Sequence, residues 1–186
     1  MSVVASMLLA VTASAVPTDY RGVVEGYYGR PWGTEGRIDL MAFMAERGLN
    51  TFVYGPKDDP YHHTKWREPY PEKEAKDFQK LLAAAKKHGI RFFWAVHLGN
   101  FKGEYGKLFA KLESMYALGV RAFAVFFDDF GSADAALHAT IGNRVIAEFL
   151  DKKGDCAPLL VCPNDYYGAG HPYQREIGAK LSRDSK

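Results

Sequence analysis

Two adjacent carboxylic acids, Asp128 and Asp129, are the residues of this sequence best suited to acid–base chemistry. They follow the run Phe123-Ala124-Val125-Phe126-Phe127, which is short and apolar and therefore predicts a strand buried on both faces. Two carboxylates this close resist ionising together, so one should hold a proton while the other stays charged. That asymmetry is what paired acid and base catalysis needs.

The position of the pair relative to the strand decides whether both acids can act together. Neighbouring side chains of a regular strand point to opposite faces, so both reach one pocket only if the strand stops at Asp128. The carboxyl end of a strand is where a (β/α) barrel carries its catalytic groups. The alternative is that one Asp caps the following helix while the other is exposed. The pair alone does not decide between the two.

The segments around the pair predict alternating strands and helices. Besides the strand before Asp128, strands are predicted at residues 20–26, 50–54, 90–97 and 158–162. Helices are predicted at residues 34–47, 71–88, 105–118, 133–153 and 173–181, with Thr34 as the N-cap of the first. This alternation through short connections indicates a parallel sheet with right-handed crossovers.

Five βα units are visible, whereas a closed (β/α)8 TIM barrel needs eight units and about 250 residues. The predicted fold class is therefore α/β, a partial (β/α)8 TIM barrel made of about its first five βα units. Residues 19–186 form this domain. Residues 1–18 are predicted to be a signal-like or disordered N-terminus, because residues 2–16 are small and apolar but no Lys or Arg precedes them. The protein is secreted if they act as a signal peptide and cytoplasmic otherwise.

Composition excludes several classes of function. The 186 residues carry a formal charge of +2, and no basic patch interleaves with aromatic residues, so nucleic acid is not an expected partner. No apolar run is long enough to span a bilayer, so no membrane is expected. The two cysteines, Cys156 and Cys162, have a spacing that fits no metal site, and both are predicted to be buried free thiols.

Polar clusters follow four of the predicted strands, and the carboxyl ends of parallel strands share one rim. They are Glu25-Gly26-Tyr27, Lys57-Asp58-Asp59, Asp128-Asp129 and Pro163-Asn164-Asp165-Tyr166. Any one of them is a weak signal, but their convergence on one rim predicts a functional site.

Four stretches together resemble glycoside hydrolase family 84, which comprises O-GlcNAcases and related β-N-acetylglucosaminidases, often labelled hyaluronidases. They are the stretches 21–32 (RGVVEGYYGRPW), 49–70 (which contains YGPKDDPYHH), 127–129 (FDD) and 162–166 (CPNDY). The similarity runs from Arg21 to about Leu181.

The resemblance implies retaining, substrate-assisted removal of terminal β-linked N-acetylglucosamine, in which the acetamido oxygen of the sugar is the nucleophile and an oxazoline forms. By position, Asp128 resembles the acid that polarises the acetamido N–H, and Asp129 resembles the general acid and base. A glycoconjugate or glycoprotein carrying N-acetylglucosamine is the implied substrate.

The resemblance also implies three substrate-binding residues and no cofactor. Gly26 matches a position that holds a sugar hydroxyl through its backbone, and Lys57 matches a lysine that binds sugar hydroxyls. Tyr166 matches a tyrosine that donates to the acetamido oxygen. The alternatives without a role in substrate binding are a surface ion pair of Lys57 with Asp58 or Asp59, and half-buried packing for Tyr166. His62, His63 and a nearby Asp suggest a metal, but the family needs none.

Two departures from the family pattern bear on activity. The family carries an Asn and Asp cluster for the outer sugar hydroxyls in later strands, and after Leu181 only five residues remain. The third strand ends in Val96-His97-Leu98-Gly99-Asn100 instead of a Ser-Pro-Gly type turn. We therefore expect weakened hydrolysis and self-association through open sheet edges. The alternatives are a non-catalytic sugar-binding or scaffold protein of the same fold, and a fragment that does not fold alone.

Overall fold

A five-stranded parallel sheet in the order β1-β2-β3-β4-β5 forms the centre of the chain. The computed structural model describes residues 20–98, 101–129, 131, 133–167 and 170–181. The strands are β1 Gly22–Glu25, β2 Thr51–Tyr54, β3 Arg91–His97, β4 Ala122–Phe126 and β5 Leu160–Cys162. The sheet curls into a half-barrel, which confirms the predicted partial TIM barrel. The N-terminus predicted over residues 1–18, and Gly99 and Asn100, lie outside the described residues.

Helices follow each of the five strands. They are α1 Thr34–Glu46, α2 Glu72–His88, α3 Tyr105–Leu118, α4 Ala135–Val145, α5 Asp151–Lys153 and α6 Pro172–Lys180. The helix predicted over residues 133–153 is interrupted, because Ile146–Leu150 forms a π-helical turn between α4 and α5. The predicted N-cap of α1 is wrong: Gly33 occupies that position with an extended backbone, and Thr34 is already helical.

Side chains of the strands alternate between two apolar layers, as the period of two requires. The outer layer packs against the helices and includes Phe52, Trp94 and Phe123. The inner layer lies on the concave face of the sheet and is made of Val53, Phe93, Ala95, Ala122, Ala124 and Phe126. The two layers hold the strands in register, so the ends of the strands form a fixed rim.

The outermost strands, β1 and β5, each pair with a neighbour on one side only within the described residues. Val24 of β1 is 59% exposed, so this edge strand presents an aliphatic side chain to solvent. No helix in the described part of the chain is both long and apolar enough to cross a membrane.

Candidate active site

The two acids leave the sheet together, as the sequence argument required. β4 ends at Phe126, and Asp129 adopts a left-handed backbone with φ of 57°, so the chain turns at the pair instead of continuing as a strand. The helix that follows is capped by Asp134, whose side chain accepts a hydrogen bond from the Leu137 N–H at 2.9 Å. Neither acid of the pair caps that helix, so the capping alternative is wrong.

Lys57 brings a positive charge to both acids. Its Nζ lies 2.5 Å from Oδ2 of Asp128 and 3.7 Å from Oδ2 of Asp129. The alternative of a surface pair with Asp58 or Asp59 is wrong, because the Lys57 side chain is buried and its ionic partners are the acid pair. An ammonium group has three donors, so contact with Asp128 leaves donors for a ligand.

The two acids differ in their exposure. The side chain of Asp128 is 13% exposed and that of Asp129 is 58% exposed. Oδ2 of Asp128 accepts from Lys57, whereas Oδ1 is buried and has no hydrogen-bond partner among the described residues. A buried acceptor normally has a partner, so this oxygen is suited to accept a hydrogen bond from a ligand.

Two residues that the sequence argument did not assign to the site contact the pair. The Tyr28 hydroxyl donates to Oδ2 of Asp129 at 2.9 Å, and this bond is the main reason that the pKa of Tyr28 is raised. His97 Nε2 donates to the backbone carbonyl of Asp128 and lies 3.9 Å from its Oδ1. His97 is the last residue of β3, and Tyr28 lies three residues after β1, so both are at the rim where the parallel strands end. That position was the signal available in the sequence.

Two buried histidines, His62 and His97, form hydrogen bonds with backbone groups next to the acid pair. His62 Nδ1 donates to the Ala95 carbonyl at 2.7 Å, and the His62 carbonyl accepts from the His97 N–H at 3.0 Å. Burial lowers the pKa of His62 to about 3. Burial and the nearby Lys57 charge lower the pKa of His97 to about 4. Both rings are therefore neutral near pH 7, and they act as hydrogen-bond donors to carbonyl groups.

The loop between β2 and α2 carries Lys57 and is anchored by Asp59. Oδ2 of Asp59 accepts from the hydroxyls of Tyr54 at 2.7 Å and Tyr70 at 2.6 Å. At the start of the loop, a Cβ on Gly55 would lie 2.5 Å from Cε2 of Phe126, so only glycine lets that ring pack there. Asp59 is thus a structural residue, and the loop is held on the sheet at both ends.

The cluster around Glu25 separates into a structural and a rim part. Glu25 is fully buried and accepts two hydrogen bonds from the Arg37 guanidinium at 2.7 and 2.9 Å, so it is not available to a ligand. Gly26 follows at the rim, where an added Cβ would lie 4.0 Å from Cε2 of Phe126. The structure therefore places Gly26 within reach of the Phe126 ring, although β2 and β3 separate β1 from β4 in the sheet.

The segment after β5 reaches the pair through Asn164, not through Tyr166. Asn164 Nδ2 donates to the Phe127 carbonyl at 3.0 Å. The Tyr166 side chain is 64% exposed, which excludes half-buried packing, and it makes no hydrogen bond to either acid within the described residues. Cys156 and Cys162 are free thiols as predicted but are only partly buried, and burial raises the pKa of Cys162 to about 11.

The described residues contain no group of three His, Cys, Asp or Glu side chains that could hold a metal ion. His62, His63 and Asp59 instead have carbonyl, hydroxyl and amide partners, including the Lys57 carbonyl, which accepts from His63 Nδ1 at 3.1 Å. The arrangement offers a buried acceptor, an exposed acid and an ammonium group within one site, which suits proton transfer to and from a polar ligand.

Comparisons with known proteins place the chain among glycosidases. The family model described as beta-N-acetylglucosaminidase matches residues 21–185. Protein O-GlcNAcase of Rattus norvegicus is 35% identical over 179 residues, a match that covers 86% of this chain and 20% of the relative. The chain therefore spans about a fifth of the length of that relative.

Two solved structures share the fold. That of CpGH84B is 34% identical with a TM-score of 0.81, and the match covers 88% of this chain and 32% of that chain. That of a mutant of the Thermobaculum terrenum O-GlcNAc hydrolase is 31% identical with a TM-score of 0.79, and covers 88% of this chain and 39% of that chain.

Proposed function

The chain belongs to the beta-N-acetylglucosaminidase family, and we propose that it removes terminal β-linked N-acetylglucosamine from glycoconjugates or glycoproteins. Relatives that bear the names O-GlcNAcase and O-GlcNAc hydrolase support this class of substrate. The observation that carries the proposal is the unequal environment of the two acids. The Asp128 side chain is only 13% exposed, with one oxygen bound by Lys57 and the other without a hydrogen-bond partner among the described residues, whereas Asp129 is 58% exposed.

The proposed first step uses the sugar as its own nucleophile. Oδ1 of Asp128 accepts a hydrogen bond from the acetamido N–H, which makes the acetamido oxygen more electron-rich. That oxygen forms a bond to the anomeric carbon while the glycosidic carbon–oxygen bond breaks. Asp129 gives its proton to the leaving oxygen, and Tyr28 holds the carboxyl group through Oδ2. The products are a free alcohol and an oxazolinium ion, whose N–H stays hydrogen-bonded to the Asp128 carboxylate.

The second step restores the acetamido group. Asp129, now a carboxylate, takes a proton from water, and the water oxygen attacks the anomeric carbon while the oxazoline carbon–oxygen bond breaks. Two displacements at one carbon retain its configuration. Lys57 keeps Oδ2 of Asp128 occupied throughout, and in the proposal its remaining donors bind sugar hydroxyls beside Gly26 and Tyr166.

Turnover of aryl β-N-acetylglucosaminides by the purified chain tests the proposal. We expect Asp129→Asn to lose roughly a hundred- to ten-thousand-fold with poor leaving groups and less with activated ones, since general-acid help matters most there. Asp128→Asn should slow both kinds equally, because it impairs oxazoline formation. Asp58→Asn, which removes a carboxylate from the same rim, is the control that should keep activity.

Two results would contradict the mechanism. One is an equal response of the Asp128 and Asp129 variants to leaving-group acidity, and the other is an inverted product in early NMR spectra. Binding of a thiazoline analogue of the sugar without any turnover would instead favour the non-catalytic sugar-binding alternative.

A further inference from the structure

The peptide that joins Phe127 to Asp128 is held by residues from beyond β4. We propose that three positioning residues, together called the Asn164 clamp, fix the orientation of this peptide. They are Asn164, Tyr173 and His138, and by holding the peptide they orient the side chains of Asp128 and Asp129. The inference rests on the proposed function for its catalytic consequence, but its structural consequence is measurable without turnover.

The first half of the clamp is a hydrogen-bonded path from α6 to Phe127, the residue that follows β4. The Asn164 side chain donates through Nδ2 to the Phe127 carbonyl at 3.0 Å. The Asn164 backbone N–H in turn donates to the Tyr173 hydroxyl oxygen at 3.1 Å. Tyr173 is buried near the start of α6, so the path lies away from water, where hydrogen bonds are stronger.

The second half of the clamp acts on the ring of Phe127. His138 of α4 stacks on that ring with centroids 4.2 Å apart and planes at 5°. Nδ1 of His138 lies 2.6 Å from the Tyr173 hydroxyl oxygen. Because this hydroxyl already accepts from Asn164, its proton is available to His138. Tyr173 therefore joins the two contacts on Phe127, one to its carbonyl and one to its ring.

The backbone of the acid pair needs such support. Asp129 has a φ of 57°, which costs free energy for a residue other than glycine and persists only where the surroundings hold it. The Phe127 carbonyl belongs to the same peptide as the Asp128 nitrogen. Rotation of that peptide would move the Asp128 carboxylate away from Lys57, whose Nζ now lies 2.5 Å from it. A displacement of about 1 Å in an active site costs up to a hundredfold in rate.

The clamp also links the acid pair to the segment that carries Tyr166. Asn164 is two residues before Tyr166, and its side chain and backbone are both engaged by the clamp. Loss of the clamp should therefore change both the orientation of the two acids and the conformation at the start of the loop between β5 and α6.

Two nearly isosteric variants test the clamp. Asn164→Asp removes the Nδ2 donor, and Tyr173→Phe removes the hydroxyl while keeping the ring. The matched control is Tyr167→Phe, which removes a hydroxyl from an exposed ring in the same segment. The first readout is the amide resonance of Asp128 in the chain without ligand, because a hydrogen bond to the Phe127 carbonyl polarises the N–H of the same peptide. The second is kcat with an aryl β-N-acetylglucosaminide.

We expect both clamp variants to move the Asp128 amide resonance and to lower kcat about ten- to a hundredfold, and Tyr167→Phe to do neither. The double variant should lose little more than the worse single variant, since both break one path. An unmoved amide resonance, or losses that multiply in the double variant, would overturn the proposal. If the wild-type chain has no turnover but the resonance moves as expected, the clamp stands and the proposed function fails.

Discussion

Acid should unfold this protein through three buried histidines, His62, His97 and His138. All three are almost fully inaccessible to solvent. Burial lowers the pKa of His62 to about 3 and that of His97 and His138 to about 4, against an ordinary value of 6.5. Below pH 6.5 these histidines therefore bind protons in the unfolded chain but not in the folded chain. Stability is fully present above pH 6.5 and is lost as the pH falls toward 4.

The size of the effect follows from the pKa values. One pH unit below 6.5, each histidine costs about 1.4 kcal/mol, because one pKa unit corresponds to that free energy. Three histidines then remove about 4 kcal/mol at pH 5.5 if their contributions add. A domain of this kind is stable by roughly 5–15 kcal/mol, so the loss is a large share of the total.

Calorimetry measures the number of protons that the chain takes up when it unfolds. The proton uptake on unfolding at pH 5.5, obtained from buffers with different ionisation enthalpies, should be between about two and three protons. At pH 7.5 the three histidines are almost entirely neutral in both states, so their combined uptake should fall to about 0.3 proton. His62→Asn, which keeps a donor for the Ala95 carbonyl, should lower the uptake at pH 5.5 by about one proton. An uptake below one proton at pH 5.5 would refute the assignment.

Two further predictions concern the scaffold. Arg37→Met should destabilise the fold by about 3–5 kcal/mol in denaturant unfolding, because it leaves the carboxylate of Glu25 buried without its charge partner; an unchanged midpoint would contradict this. Light scattering should show self-association of the 186-residue chain, and Val24→Lys should reduce it, because a charge on an edge strand opposes pairing with another sheet. A wild-type monomer at all concentrations would exclude edge pairing.

The element order was predictable from the sequence because strands and helices have distinct apolar periods. The predicted helix over residues 105–118 has the observed bounds, and Gly89, Gly119 and Gly154 have the left-handed φ expected of residues that end helices. The interruption after α4 was not predictable in the same way. A π-helical turn buries Ile146, Phe149 and Leu150 together, and this depends on contacts with distant parts of the chain.

The partners of the acid pair were harder to predict than the pair itself. Convergence at the rim follows from parallel strands, and Lys57 was expected near the sugar, but its direct contact with Asp128 depends on how the loop after β2 folds. Glu25 seemed a rim residue because of its position in sequence. It points instead to Arg37 of α1, since strand residues alternate between faces and a buried carboxylate needs a charge partner.

The described contacts fix the orientation of the two acids, and they contribute less to the affinity for the sugar. Tyr28, Lys57, His97 and Asn164, which contact the turn of the pair, all belong to the first five βα units. The resemblance to glycoside hydrolase family 84 implies that an Asn and Asp cluster in later strands, outside these five units, binds the outer sugar hydroxyls. A buried hydroxyl contact contributes about 1 kcal/mol and more when charged, so two or three fewer contacts would weaken binding on the order of a hundredfold. We therefore expect kcat of this 186-residue chain to be less affected than KM, relative to an O-GlcNAc hydrolase that matches it in structure. Steady-state kinetics on one aryl substrate compares the two, and a chain with ordinary KM but negligible kcat would refute the argument.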